Sequence, residues 1–113
     1  MNIYRKARPN TTIALLDKLE GKKEVIEVAY WRKFYELQDA IGDIIGEYIE
    51  NYEDYELNKE HIEEIILWLQ TNKDNGIINE WSREGVDNDI ELLTKLIEKT
   101  NFDEYILFYR GDW

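Results

Sequence analysis

With 113 residues, 43% of them hydrophobic, and eight Tyr, four Trp and three Phe, the chain has material for one hydrophobic core, which excludes a disordered chain and predicts a single domain over 1–113. The absence of cysteine excludes disulfide and thiolate chemistry, and no apolar run approaches the roughly 20 residues of a membrane span or the apolar region of a signal peptide, so a cytoplasmic protein without a membrane partner is expected. The net charge of −11 is divided unevenly, with eight Lys/Arg against four Asp/Glu over residues 1–33 and six against twenty-one over 34–113, which argues against direct nucleic-acid binding and for either plain solubility or a basic partner.

The first segment, Met1 to Arg8, reads as a short edge strand stopped by Pro9-Asn10. Thr11 or Thr12 caps a brief helix to Glu20, and Gly21 ends it. Apolar residues at Tyr30, Phe34, Leu37, Ile41, Ile44 and Tyr48, with Ile45 and Ile49 beside them, recur at steps of three and four, which predicts one long helix from about Glu24 to Asn51. Gly42 and Gly46 inside it require either a bend or the close approach of another backbone. Glu50 to Glu56 is a polar connector. Asn58 caps a helix to about Asn72, with Ile62, Ile65, Ile66 and Leu69 inward and Trp68 flanking. A turn at Lys73 to Gly76 leads into residues 77–86, which fit no single pattern; Trp81 is the expected anchor and Gly85 the break. Asp87 or Asn88 caps a last helix to about Thr100, burying Ile90, Leu93, Leu96 and Ile97. Tyr105 to Tyr109 is β-prone and is expected to pair with the N-terminal segment. The expected fold is therefore α+β and mainly α: three or four helices around one core, with a small two-stranded sheet from the N- and C-terminal segments.

The reactive inventory is sparse, with Ser82 the only serine and His61 the only histidine, and no Walker loop, G-x-S-x-G, H-E-x-x-H or G-x-G-x-x-G. No enzyme, catalytic residue or cofactor is predicted. His61 and Glu64 share a helix face, but two ligands do not make a metal site, and none is predicted. Arg110-Gly111-Asp112 and the Asn10-Thr11-Thr12 sequon are read as chance matches.

Two constellations stand out. Glu36, Asp39, Asp43, Glu47 and Glu50 fall at steps of three and four on the long helix, giving an acidic stripe with about 6 Å of rise per four residues. Duplex DNA carries a charge every 1.7 Å or so, so one stripe is too dilute to imitate it. A second row from Glu53, Asp54, Glu56, Glu60, Glu63 and Glu64 would be needed. The other cluster joins Tyr30, Trp31, Arg32 and Lys33 to Tyr109, Arg110 and Trp113, where Arg beside aromatic rings would hold an anion or a nucleobase. Each has an ordinary alternative, a solvated helix face and a set of packed aromatics.

Glu27 to Lys33, EVAYWRK, and the tail FYRGDW resemble a group of small uncharacterised phage and prophage proteins that carry a Y-W-R-K block entering a helix and end in an aromatic strand with a final Trp. The resemblance implies a phage context and ties Tyr30, Trp31, Arg32, Lys33 and Trp113 to the group. Gln38 stands where the group carries a histidine, and Ala40 where a Trp follows. The functional expectation is a phage-type accessory protein acting by protein–protein interaction, an acidic inhibitor of a host defence or nucleic-acid-handling protein with a basic surface. The alternative is a small-ligand or nucleotide-binding module using the Trp/Tyr/Arg cluster.

Overall fold

A computed structural model describes residues 1–9, 11–22 and 24–112; Asn10 of the sequon and Trp113 of the aromatic cluster lie outside the described residues. The chain begins with β1 (Asn2–Ala7), α1 (Thr12–Glu20) and β2 (Val25–Tyr30). Thr11 caps α1 by accepting the Ala14 N–H, and Gly21 closes it with a left-handed φ of 69°.

The predicted helix over Glu24–Asn51 is corrected at both ends. Its first part is β2, an edge strand rich in β-branched residues, and only Tyr35–Ile45 forms a helix, α2. Between them Lys33 adopts a positive φ of 54°, and Gly46 at 74° terminates α2. The helical spacing of Phe34, Leu37 and Ile41 is real and all three are buried. Tyr30 falls in that period by coincidence. The chain folds back closely over Gly42: a β-carbon there would lie 3.0 Å from the Glu47 carbonyl oxygen, so a larger residue would require that backbone to give by a few tenths of an ångström.

The chain continues through β3 (Asp54–Leu57), which overlaps the end of the Glu50–Glu56 segment expected to be a connector, then α3 (Lys59–Asn72), α4 (Glu80–Arg83), α5 (Val86–Lys99) and β4 (Tyr105–Arg110). Asn58 caps α3 as expected, accepting the His61 N–H at 2.8 Å while His61 Nδ1 accepts the Asn58 N–H at 3.1 Å. The single histidine thus serves a helix cap. The cap of α5 is Gly85, two or three residues before the expected one.

The expected two-stranded sheet with three or four helices is overturned: among the described residues there are five helices and a four-stranded antiparallel sheet ordered β2-β1-β4-β3. The terminal strands do pair, Ile3 opposite Tyr109 and Arg5 opposite Leu107, but as the middle of the sheet. A two-stranded ribbon is marginal in water, and here each terminal strand takes an outer partner, β2 on β1 and β3 on β4. One face of the sheet, with Ile3, Ala29, Leu57, Leu107 and Tyr109, joins Phe34, Leu37, Ile41, Ile62, Ile65, Leu69, Val86 and Leu93 from the helices in one core. Helix α3 packs between α2 and α5. The other face is aromatic and cationic: Tyr4 stacks on Phe108 with centroids 5.4 Å apart, and Arg110 lies 5.1 Å from the Tyr4 ring.

Candidate functional site

Of the predicted stripe, Asp39, Asp43 and Glu47 line one concave surface of about 630 Å³ together with Gln38, Gly42, Gly46, Tyr48 and Ile49. Asp39 and Asp43 are one turn apart on α2, and Glu47 follows just past the Gly46 cap. Glu47, Glu50 and Glu53 are exposed, and Tyr48 is 86% and Tyr52 71% exposed beside them. This segment is held in place although it has no regular structure. The Tyr55 hydroxyl accepts the Glu50 N–H at 2.8 Å and donates to the Tyr48 carbonyl at 3.2 Å, while the Tyr52 N–H donates to the Gly111 carbonyl at 2.7 Å. Asp39, Asp43, Glu47, Glu50 and Glu53 take part in no ion pair among the described residues.

Glu36 leaves the stripe. It turns toward α4, where its Oε1 accepts the Asn79 N–H and Nδ2–H, each at 3.0 Å. Burial pushes its carboxyl up, but hydrogen bonds from its own backbone and from Asn79 outweigh that and hold it below the ordinary value. The second row is also thinned. Asp54 accepts both Nε and Nη2 of Arg110, at 2.7 and 3.1 Å, and Glu56 lies 3.6 Å from Arg8. Glu60, Glu63 and Glu64 remain exposed on α3.

The aromatic and cationic cluster is not assembled as the sequence suggested. Tyr109 is fully buried and donates to Gln38 Oε1 at 2.7 Å; burial, then the nearby Asp112, raises its hydroxyl pKa. Arg110, one residue on, points to the opposite face, where it meets Asp54. The Y-W-R-K block instead borders α4 and the start of α5. Arg32, Lys33, Tyr35 and Glu36 form a depression of about 700 Å³ with Asn79 and Trp81. Trp81, the expected anchor of residues 77–86, is 77% exposed, and its neighbour Ser82 is buried instead.

Beside that depression lies a smaller cavity of about 180 Å³, lined by Tyr30, Trp31, Arg32, Phe34, Trp81, Ser82, Gly85 and Asp89. Burial pushes the half-buried Asp89 carboxyl up to about 6, and the Trp31 indole, within reach but in no close linear hydrogen bond, offsets only part of that. Sequence reading does not point to Asn79 or Asp89, and it notes Ser82 only as the single serine. Asn79 was legible as a cap three residues before Ser82, whose N–H it accepts at 2.9 Å. Asp89 carries no local mark, because its surroundings come from β2 and α4.

Among the described residues no group of three or more His, Cys, Asp or Glu is placed to hold a metal ion, and no helix is long and apolar enough to cross a membrane. Comparison with protein-family models, curated proteins and solved structures finds no match to this chain.

Proposed function

We propose that the protein acts by binding, presenting the acidic face of Asp39, Asp43 and Glu47 to a basic surface of a host protein, as a phage-type inhibitor of a defence or nucleic-acid-handling factor would. The observation that carries this reading is that the three carboxylates share one concavity beside the exposed Tyr48, in no ion pair among the described residues. Like charges held together cost stability, and unpaired carboxylates with an exposed tyrosine have the composition of a surface that a cationic partner would cover. The hydrogen bonds that fix residues 48–52 support it further, since a pre-ordered loop loses less entropy on association. The charge spacing remains too wide for close imitation of a DNA backbone, so the partner is read as a protein with a basic patch and not as one that must grip a duplex-like rod.

The test is capture from host lysate on the tagged protein, eluted by a salt gradient and compared with the D39K/D43K/E47K variant. A basic protein retained by the wild type, released at a few hundred millimolar salt and lost in the folded variant supports the reading. Equal capture by both proteins, or none by the wild type, would sink it.

A further inference from the structure

Away from the acidic face, Asp89 is a carboxylate partly withdrawn from water with no counter-ion among the described residues. Asp89, in the first turn of α5, is half-buried beside the 180 Å³ cavity and forms no ion pair among the described residues. The walls of that cavity include four aromatic residues, Tyr30, Trp31, Phe34 and Trp81, two of them 60% and 77% exposed and so open to a ligand. The Ser82 hydroxyl is buried without a hydrogen-bond partner among the described residues, which leaves in the wall a polar atom able to accept a bond from a ligand; the Trp31 indole N–H can only donate, and what it has within reach is the Asp89 carboxylate.

The carboxylate, the aromatic faces and the Ser82 oxygen favour one kind of occupant, a cation. Aromatic faces are negative and attract cations, a carboxylate does the same, and both oppose an anion. The volume is below the roughly 300–1,000 Å³ of sites for drug-sized molecules, so the ligand is a small head group. Arg32 also lines the cavity, and it is exposed and unpaired with Asp89, so it leaves the carboxylate uncompensated.

We propose that this cavity binds an alkylammonium group, the head of a lysine side chain or of a free amine, with the Asp89 carboxylate as its counter-ion and the faces of Tyr30 and Trp81 as its walls. The proposal is independent of the acidic-face reading, because the two sites share no lining residue.

The test uses the isotope-labelled full chain and the indole N–H resonance of Trp31. The ligands are n-butylamine and N-acetyl-lysine methylamide, with n-butanol and N-acetyl-norleucine methylamide as uncharged controls. Saturable shifts are expected from the amines and not from the controls. Affinity should fall at least tenfold in Asp89→Asn and severalfold in Trp81→Ala, an exposed position whose loss leaves the core intact, and should be unchanged in D39N/D43N/E47Q. Tighter binding of the lysine derivative assigns the site to a partner's side chain, and tighter binding of butylamine to a free amine; either supports the proposal. Non-saturating shifts, equal binding by Asp89→Asn, or binding that appears only in Arg32→Ala would overturn it, the last because Arg32 would then be the occupant.

Discussion

Replacing Asp89 by Asn should stabilise the protein at neutral pH, and by an amount that depends on pH in a defined direction. A carboxyl whose pKa moves from 3.8 to about 6 on folding carries about 3 kcal/mol of penalty in its ionised form if counted in full. Asp89 is only about half withdrawn from solvent, so screening reduces this to about 1–2 kcal/mol. The α5 dipole favours an anion in the first turn by about 0.3–1 kcal/mol, and burial still wins. The raised pKa sets the sign: the folded state keeps a proton that the unfolded chain has lost, so this contribution is present below pH 4 and disappears as pH rises to 6. Asn has the same shape, no charge, and an oxygen that the Trp31 indole can reach. The stability difference between variant and wild type should therefore be near zero at pH 4, grow through pH 6 and level off at about 1 kcal/mol or more above pH 7. Urea unfolding followed by tryptophan fluorescence across that range measures it, and taking the difference cancels the other carboxylates. A pH-independent difference, or a variant less stable than wild type at pH 7, would refute the reasoning by showing that the ionised carboxylate is stabilised in the fold. A stabilised variant that also loses amine binding would mean that Asp89 is kept at the expense of stability.

Three further outcomes follow from the buried contacts. Tyr109→Phe should cost about 1–3 kcal/mol in urea unfolding, because it leaves Gln38 Oε1 buried without its donor; combining it with Gln38→Met should recover most of that loss. Gly111→Ala places a β-carbon 2.7 Å from Gln38 Oε1 and should destabilise by about 1–2 kcal/mol, with a smaller effect in the Tyr109→Phe background where Gln38 is free to move. Glu36→Gln should weaken the α2–α4 link by about 1 kcal/mol at pH 7. Since the Glu36 carboxyl is held below its ordinary value in the fold, that stability is present above the unfolded pKa and is lost as pH falls through the folded one, so wild type and variant should converge in acid thermal melts.

Asn58 with Lys59–Asn72, and Thr11 with Gly21, were readable because a cap and its helix are a local matter of hydrogen bonds over three or four residues. Phe34, Leu37 and Ile41 are readable from their period, whereas Tyr48 of the same period lies past the end of α2 and is exposed; the β character of Tyr105–Tyr109 is readable too. The residues before Phe34 carry two signals, since Tyr30 continues the helical period by chance while Val25, Ile26 and Val28 favour a strand. Only pairing with β1 decides between them. β3 was hidden within an acidic, tyrosine-rich stretch that becomes a strand because β4 offers it a free edge. The acidic group survives in part: Asp39, Asp43 and Glu47 meet in one concavity because Gly46 turns the chain back, whereas Glu36 is withdrawn by a contact with Asn79, 43 residues away. Asp89 shows the other limit. Composition and local pattern determined a charged, aromatic-rich chain with one core, its caps and its apolar faces, since these depend on near neighbours and on burial in bulk. The tertiary structure alone decided which carboxylates lie unpaired together and which one sits among aromatic rings, because burial and partners come from segments distant in the chain.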